Sequence, residues 1–187
     1  MNREQIWAPW RLAYIKSNAE KSEATDSGDS VATPENLSLL AGGDENCFLC
    51  RAVVTQGQRE NFVLRVQEHT VTVLNRYPYN NGHLLVAPKR HKGKLYQLND
   101  AEHLQCMQEV TQLIRTLEEL LEAQGFNVGL NLGHIAGAGL PGHLHWHIVP
   151  RWSGDTNFMS VLSGVDVIPQ SLDALWSALR EMLQKVD

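Results

Sequence analysis

The sequence predicts an α+β fold in which an antiparallel sheet is covered by a long helix and a C-terminal helix. Three observations indicate this fold. Short runs that alternate apolar and polar residues come first, an amphipathic stretch of helical period follows, and two further strand-like runs precede a second helical stretch. The chain has 187 residues, of which 43% are hydrophobic, and this length suffices to bury one core without disulfide bonds.

Composition divides the chain into four segments. Residues 1–16 form an apolar, tryptophan-containing arm that we expect to pack on the body or on a partner subunit, and plain core filling is an equal alternative. Residues 17–44 are rich in Ser, Ala, Gly and acidic residues, as is typical of a flexible linker. Residues 45–160 then form the folded domain, and residues 161–187 form a C-terminal helical extension.

The first strands follow the linker as alternating runs bounded by turn residues, at residues 62–66, 70–75 and 83–87. The long helix is predicted to begin after Asn99. Asn99 is a residue type that caps helices, and Glu102 follows it at the three-residue spacing of a capping box. Gly125 is expected to end this helix as the glycine just beyond its last turn.

Two more strands are predicted at residues 127–132 and 143–149, separated by a loop rich in Gly and Ala. The closing helix starts at Leu172, with Ser171 as its N-cap. The order of strands, long helix, two strands and helix predicts an antiparallel meander.

Charge and hydropathy exclude several classes of function. The 16 Lys and Arg against 21 Asp and Glu give a net charge of −5, which disfavours nonspecific binding of nucleic acid. No apolar run approaches the roughly 20 residues that cross a bilayer, and the first residues do not resemble a signal peptide. We therefore expect a cytoplasmic protein without nucleic-acid or membrane partners.

Three cysteines are too few and too unevenly spaced for a disulfide framework. Cys47 and Cys50 form a C-x-x-C pair, which in a reducing compartment is typical of half a metal site. A redox pair is the alternative, although no thioredoxin-like βαβ pattern surrounds the two residues. Cys106 lies within the long helix and is expected to be a buried thiol.

The strongest chemical pattern is His143, His145 and His147 at a spacing of two. In a strand these imidazoles share one face, while the intervening apolar residues point into the core. The outer two Cα atoms would lie about 13 Å apart, too far for an easy common metal ligation. We therefore expect a division of labour in which one end completes a zinc site, the middle is a nucleophile and the other end donates hydrogen bonds. Surface histidines on an edge strand are the alternative.

A histidine attacks phosphorus well because its neutral form is abundant near pH 7. The glycine-rich loop before the triad includes Gly137 and Gly139, whose backbone N–H groups are candidates to stabilise charge on phosphate oxygens. A role of these glycines in the turn alone is the alternative. After the last strand, Arg151 and the residues from Asp155 to Asn157 are candidates to hold an acceptor phosphate or a second nucleoside, and a tight turn is the alternative.

The segment H-L-H-W-H-I-V resembles the signature of the histidine triad (HIT) family, and N-R-Y-P-Y-N-N-G-H-L-L-V-A-P-K-R-H is similar to the family's other characteristic block. W-A-P-W-R-L-A-Y-I and R-W-S-G-D-T-N-F look like its diadenosine tetraphosphate phosphorylase (ATP adenylyltransferase) branch. The resemblance implies that His145 is the nucleophile and that His147 contacts the phosphates or the leaving group. It also implies that Asn75 lies near the ribose and Asn131 near the phosphates, and that His83 is structural.

The resemblance further implies a structural zinc site. Zinc-bearing HIT proteins resemble this chain in combining C-x-x-C, a later histidine and the first histidine of the triad. The matching residues here are Cys47, Cys50, His91 and His143. Because four protein ligands leave no open position for water, the zinc would hold the fold together and would not catalyse the reaction.

The predicted function is a nucleotidyl transferase that converts diadenosine tetraphosphate and phosphate to ADP and ATP through a nucleotidyl-histidine. The alternatives are a dinucleoside polyphosphate hydrolase or nucleoside phosphoramidase, and a non-catalytic, zinc-stabilised nucleotide-binding module. A hydrolytic metal on His143 and His145 is a further one. Inorganic phosphate is the expected acceptor, and a homodimer through the helix at residues 99–124 is the expected assembly. Packing of this helix on its own sheet alone is the alternative.

Overall fold

Five antiparallel strands form one sheet in the part of the chain that this structure, a computed structural model, describes. The described residues are 37–55, 59–155 and 168–185, and all belong to one structural unit. The strands are β1 (Val63–Val66), β2 (Thr70–Leu74), β3 (Leu84–Pro88), β4 (Gly125–Leu130) and β5 (Trp146–Arg151). The predictions for residues 1–16, for most of the linker, for Asn157 and for residues 161–167 lie outside the described residues.

The strand order is β1-β2-β3-β5-β4, so β5 lies between β3 and β4. In this respect the sheet departs from a simple meander, because the last strand pairs with two earlier strands. Leu85 of β3 lies opposite His147 of β5, and Gly129 of β4 lies opposite the same residue on the other side. The predicted α+β class with an antiparallel sheet is confirmed.

Three helices accompany the sheet within the described ranges: α1 (Phe48–Val54), α2 (Asp100–Leu121) and α3 (Leu172–Gln184). The predicted capping box of α2 is present, because Asn99 Oδ1 accepts from the Glu102 N–H at 2.9 Å while Glu102 Oε2 accepts from the Asn99 N–H at 2.9 Å. Ser171 caps α3 by accepting from the Ala174 N–H at 3.3 Å.

The prediction that Gly125 ends the long helix is wrong. Helix α2 stops at Leu121, and Glu122 adopts the left-handed conformation with φ 52°. Gly125 instead opens β4, where it pairs with Arg151. Tertiary strand pairing therefore outweighs the local preference for glycine at a helix end.

Two apolar clusters cover the two faces of the sheet. One lies under α2 and α3 and includes Trp146 and Ile148 of β5 together with Leu113, Leu117 and Leu179. The other lies under α1 and includes Leu49 of that helix, Val71 and Val73 of β2, and Leu85 and Ala87 of β3. Strands β2 and β3 are consequently buried along their whole length. Among the described helices, none is both long and apolar enough to cross a membrane.

Candidate active site and metal centre

The three histidines of the triad lie on the sheet face opposite α2. The expected strand at residues 143–149 begins later than predicted, since β5 starts at Trp146. His143 and His145 precede it, because the Leu144 N–H donates to the Lys92 carbonyl at 2.7 Å and not to a strand partner. The alternation still extends through this segment: Leu144, Trp146 and Ile148 pack in the core, as predicted.

His145 is held by one hydrogen bond to the backbone. Its Nδ1 lies 2.8 Å from the carbonyl oxygen of His143, which can only accept, so Nδ1 carries the proton. In a neutral imidazole the other nitrogen, Nε2, then bears a lone pair. Burial lowers the pKa of His145, which keeps the ring neutral at pH 7. The arrangement leaves an unprotonated Nε2, the form that a nucleophile needs.

His147 is held by His83, which the chain brings to it from the block before β3. The Tyr79 N–H donates to His83 Nδ1 at 3.1 Å, so the His83 proton lies on Nε2. His83 Nε2 in turn lies 2.9 Å from His147 Nδ1 and donates to it. His147 Nε2 then carries a proton, and this buried atom has no hydrogen-bond partner among the described residues.

Both of these rings are neutral at physiological pH. Burial, followed by the nearby His147, lowers the pKa of His83 to about 3. Burial also lowers the pKa of His147 to about 4, with His145 adding a smaller effect. His83 and His147 therefore act as oriented dipoles and not as cations at pH 7.

The four predicted metal ligands come together although they are distant in sequence. One ligand atom from each of Cys47, Cys50, His91 and His143 lies within 4.8 Å of all the others. Cys47 Sγ is 3.2 Å from His143 Nδ1, Cys50 Sγ is 3.2 Å from His91 Nδ1, and Cys50 Sγ is 3.6 Å from His143 Nδ1. A tetrahedral zinc with ordinary bond lengths separates sulfur from nitrogen by about 3.5 Å, so the four residues fit such an ion.

The orientation of His143 also fits a metal. Its Nε2 lies 2.8 Å from the Pro88 carbonyl and donates to it, which leaves the lone pair on Nδ1 facing the two sulfur atoms. Burial raises the pKa of the Cys47 thiol to about 12 in the absence of an ion. A bound metal ion would reverse this effect, because thiolate is the ligand form.

The cysteine pair lies at the start of a helix that sequence reasoning missed. Cys47 is the N-cap of α1, and its Sγ accepts from the Cys50 N–H at 3.4 Å. Both cysteines are free thiols, and so is the buried Cys106. The metal-capable cluster does not include His145, which disfavours a hydrolytic metal on His143 and His145.

The predicted substrate-binding residues occupy two places. Asn75 lies beside the histidines, where its Nδ2 is 3.1 Å from His83 Nδ1 and its Oδ1 accepts from the Tyr77 N–H at 3.1 Å. In the glycine-rich loop, Asn131 Nδ2 donates to the Gly137 carbonyl at 3.4 Å, and Gly139 is exposed. Gly137 has φ 89°, which accounts for glycine there by the turn alone. The substrate roles of these residues stay predictions.

Arg151 is not an open anion site. Its guanidinium makes two hydrogen bonds to the Asp155 carboxylate, at 2.5 and 2.9 Å, and a third to Asn127 Oδ1 at 2.9 Å. Its hypothesised role in holding an acceptor phosphate therefore finds no support.

Tyr79 is a site residue that sequence reasoning missed. Its position in the same sequence block as His83, to which its N–H donates, was the signal that could have identified it.

Comparison with known proteins agrees with this geometry. A family model described as the HIT domain matches residues 56–154. A Mycobacterium tuberculosis protein named AP-4-A phosphorylase is 36% identical over 169 residues, which cover 90% of this chain and 78% of that protein. A Zn-bound histidine triad family protein from Mycobacterium smegmatis superposes with a TM-score of 0.55 at 25% identity, covering 67% of this chain and 86% of that one.

The NitFhit protein of C. elegans superposes with a TM-score of 0.54 at 26% identity, over 65% of this chain. The match covers only 27% of the NitFhit chain, so this sequence spans about a quarter of that longer protein. The matched residues 56–154 contain both sequence blocks, His83 and the whole triad. The sequence motifs, the sheet and these matches agree, and the chain belongs to the HIT domain family.

Proposed function

We propose that this protein is a nucleotidyltransferase that cleaves diadenosine tetraphosphate with inorganic phosphate to ADP and ATP. The observation that carries the proposal is the tautomer of His145: its Nδ1–H is bonded to the His143 carbonyl, so the Nε2 lone pair is available for attack. The similarity to the mycobacterial AP-4-A phosphorylase over most of both chains supports the choice of substrate.

The reaction proceeds in two displacements at the α-phosphorus. The Nε2 lone pair of His145 forms an N–P bond while the P–O bond to the leaving ATP breaks. An oxygen of inorganic phosphate then attacks the same phosphorus, the N–P bond breaks, and the adenylyl group leaves as ADP. If water attacks in place of phosphate, the second product is AMP, and the enzyme is a hydrolase.

His147 is suited to assist the departure of ATP. Its Nε2–H is a buried donor without a hydrogen-bond partner in the part of the chain that the structure describes, which is the arrangement expected where a substrate oxygen binds. The loop G-A-G-L-P-G before the triad lacks polar side chains, which favours transfer to phosphate over activation of water. We assign the acceptor role to inorganic phosphate on these grounds.

The cluster of Cys47, Cys50, His91 and His143 is proposed to hold a structural zinc. Because the His143 side chain faces the cluster while its carbonyl accepts from His145, the same residue links the metal centre to the nucleophile. Zinc bound there supplies no chemistry to the reaction. It would fix the backbone of His143, and hence the direction in which His145 Nε2 points.

The test is turnover of diadenosine tetraphosphate by the purified protein with and without phosphate, with products separated by chromatography. We expect ADP and ATP only when phosphate is present, and an adenylyl adduct on His145 by mass spectrometry when phosphate is omitted. His145→Ala should form no adduct, whereas His69→Ala, a control outside the triad, should behave as the unmodified protein. AMP and ATP in both tubes would make the protein a hydrolase, and an unreactive protein that binds nucleotide would favour the binding-module alternative.

A further inference from the structure

Two segments of the chain cross beside the candidate metal centre. Residues 91–93, which follow β3, lie against residues 141–144, which join the glycine-rich loop to the triad. The Lys92 carbonyl accepts from the Leu144 N–H at 2.7 Å, so a hydrogen bond between the two main chains holds them together. We call this contact the crossing. One of its segments carries a candidate metal ligand, His91, and the other continues from the loop that is predicted to face the phosphates.

The two main chains approach so closely that the crossing requires glycine at position 93. A Cβ atom on Gly93 would lie 2.7 Å from the Pro141 carbonyl oxygen and 3.3 Å from the Cα atom of Gly142. Both distances are shorter than about 3.5 Å, the lower end of the optimal range for non-bonded atoms. The atoms that the Cβ would meet belong to the main chain and cannot rotate aside. A side chain at position 93 would therefore displace the end of the glycine-rich loop.

Gly142, on the other segment, leaves room for the metal ligand. A Cβ atom on Gly142 would lie 3.0 Å from His91 Nε2. The other ring nitrogen, Nδ1, lies 3.2 Å from Cys50 Sγ and faces the metal-capable cluster. A ring whose Nδ1 is bound to a metal ion cannot turn its Nε2 aside, whereas a ring without metal can. A side chain at position 142 would therefore weaken metal binding while leaving the metal-free fold almost undisturbed.

The glycine-rich loop is attached to the body at its other end as well. There the Ala138 N–H donates to the Gly133 carbonyl at 3.3 Å, and Asn131 Nδ2 donates to the Gly137 carbonyl at 3.4 Å. Gly139 lies between this attachment and the crossing and is exposed. Backbone N–H groups stabilise phosphate oxygens only where their direction is fixed beforehand. The direction of the N–H groups in the loop thus depends on the crossing.

We infer that Gly93 and Gly142 are positioning residues that join the metal centre to the glycine-rich loop, so that the working position of the loop depends on metal binding at His91. The inference rests on the proposed function for the role of the loop towards phosphate. It differs from the link through the His143 carbonyl, which reaches the nucleophile. Neither glycine needs to touch the substrate for this role.

The first test measures metal binding and needs no nucleotide. Cobalt(II) is bound to the metal-free protein, and competition with a chelator gives its affinity. For Gly142→Ala we expect about tenfold weaker binding and a shifted visible absorption spectrum, because the His91 ring must turn. Metal-free Gly142→Ala should unfold at the same urea concentration as the metal-free unmodified protein. Gly125→Ala is the matched control, since a Cβ atom on Gly125 would meet nothing within 4 Å.

The second test separates the loop from the binding of the nucleoside. For Gly93→Ala we expect kcat to fall about tenfold because the loop is misplaced. The KM for diadenosine tetraphosphate should stay within about twofold, since the predicted ribose contact at Asn75 lies outside the crossing. A general loss of folding would not divide kcat from KM in this way. Gly125→Ala should match the unmodified protein in both constants.

Equal cobalt affinity and an identical spectrum in Gly142→Ala would overturn the inference, and so would an unmodified protein that binds no cobalt. An unchanged kcat in folded Gly93→Ala would also contradict it. If Gly93→Ala fails to fold, the metal measurements on Gly142→Ala still decide. A protein that turns over no dinucleotide but shows the expected cobalt affinities would refute the proposed function and leave the link between metal and loop in place.

Discussion

The reactive forms of two histidines are set by single hydrogen bonds whose direction no sequence motif specifies. The His143 carbonyl orients His145, and His83 orients His147. Sequence reasoning assigned His145 and His147 their roles from spacing and resemblance, and it treated His83 as structural. It could not identify the tautomers, because these depend on backbone groups whose direction is determined only by the folded chain.

The buried, neutral His83 makes stability depend on pH. Its pKa of about 3 in the fold lies below the roughly 6.5 of an unfolded chain, so between these values the unfolded state binds more protons. Stability from this group is complete above pH 6.5 and is lost as the pH falls towards 3. We expect the free energy of unfolding to fall about 1.4 kcal/mol per pH unit more steeply in the unmodified protein than in His83→Gln.

Urea unfolding of both proteins at intervals between pH 6 and pH 4 measures this difference in slope. His69→Gln is a suitable control, because His69 is a partly exposed histidine paired only loosely with Glu68, at 3.7 Å. Parallel curves for the unmodified protein and His83→Gln would show that His83 is protonated at no cost in the fold.

The four candidate metal ligands join three segments of the chain that are distant in sequence. The cluster takes Cys47 and Cys50 from the start of α1, His91 from the segment after β3 and His143 from the segment before β5. Removing a thiolate should therefore release metal and loosen three chain segments at once. In Cys50→Ser we expect loss of one zinc per chain, and at free zinc of about 1,000 times Kd a loss of about 4 kcal/mol in unfolding free energy.

Metal content by mass spectrometry and unfolding with and without a chelator test this expectation. Cys106→Ala is the matched control, since Cys106 is buried in α2 and is distant in sequence from the cluster. This variant should keep its zinc. Zinc retained at full stoichiometry in Cys50→Ser would contradict the assignment of that ligand.

A buried ion pair joins α2 to the sheet. The carboxylate of Glu109 accepts from Arg65 Nε of β1 at 2.8 Å and from the Thr72 hydroxyl of β2 at 2.6 Å. Glu109→Ala leaves the Arg65 guanidinium buried without its counter-ion, so we expect a loss of about 3–5 kcal/mol in unfolding free energy. Chemical denaturation of Glu109→Ala beside the double variant Arg65→Leu/Glu109→Leu measures this, and the double variant should be the more stable of the two. The reverse order would mean that the surrounding water already compensates Arg65.

Elements with a strong local signal were predictable, and those that depend on distant partners were not. The strands β1 to β3, the cap at Asn99 and the helix after Ser171 follow from period and capping chemistry. The insertion of β5 between β3 and β4 and the late start of β5 depend on which backbone groups meet in space. Hydrophobic periodicity also cannot reveal Glu109, because a charged residue on a buried helix face breaks the pattern.

At the scale of the whole molecule, the face of α2 that is turned away from the sheet remains partly apolar. Leu104 is 60% exposed and Met107 is 43% exposed, although both lie on the helix that was expected to form a homodimer interface. We predict a dimer through this face, since pairing two copies would remove such side chains from water at about 25 cal/mol per Å² of apolar surface. Replacing both residues by glutamate should then place charges in the interface and leave the core intact.

Sedimentation equilibrium at micromolar concentrations checks the prediction. The unmodified protein should have twice the chain mass, and Leu104→Glu/Met107→Glu should have the mass of one chain with unchanged circular dichroism. Ile135→Glu is the matched control, because Ile135 is fully exposed in the loop before the triad and not on α2. A monomeric unmodified protein, or a double variant that remains dimeric, would show that the apolar face of α2 is not the interface. A dimer lost only in Ile135→Glu would move the interface to the loop side of the sheet.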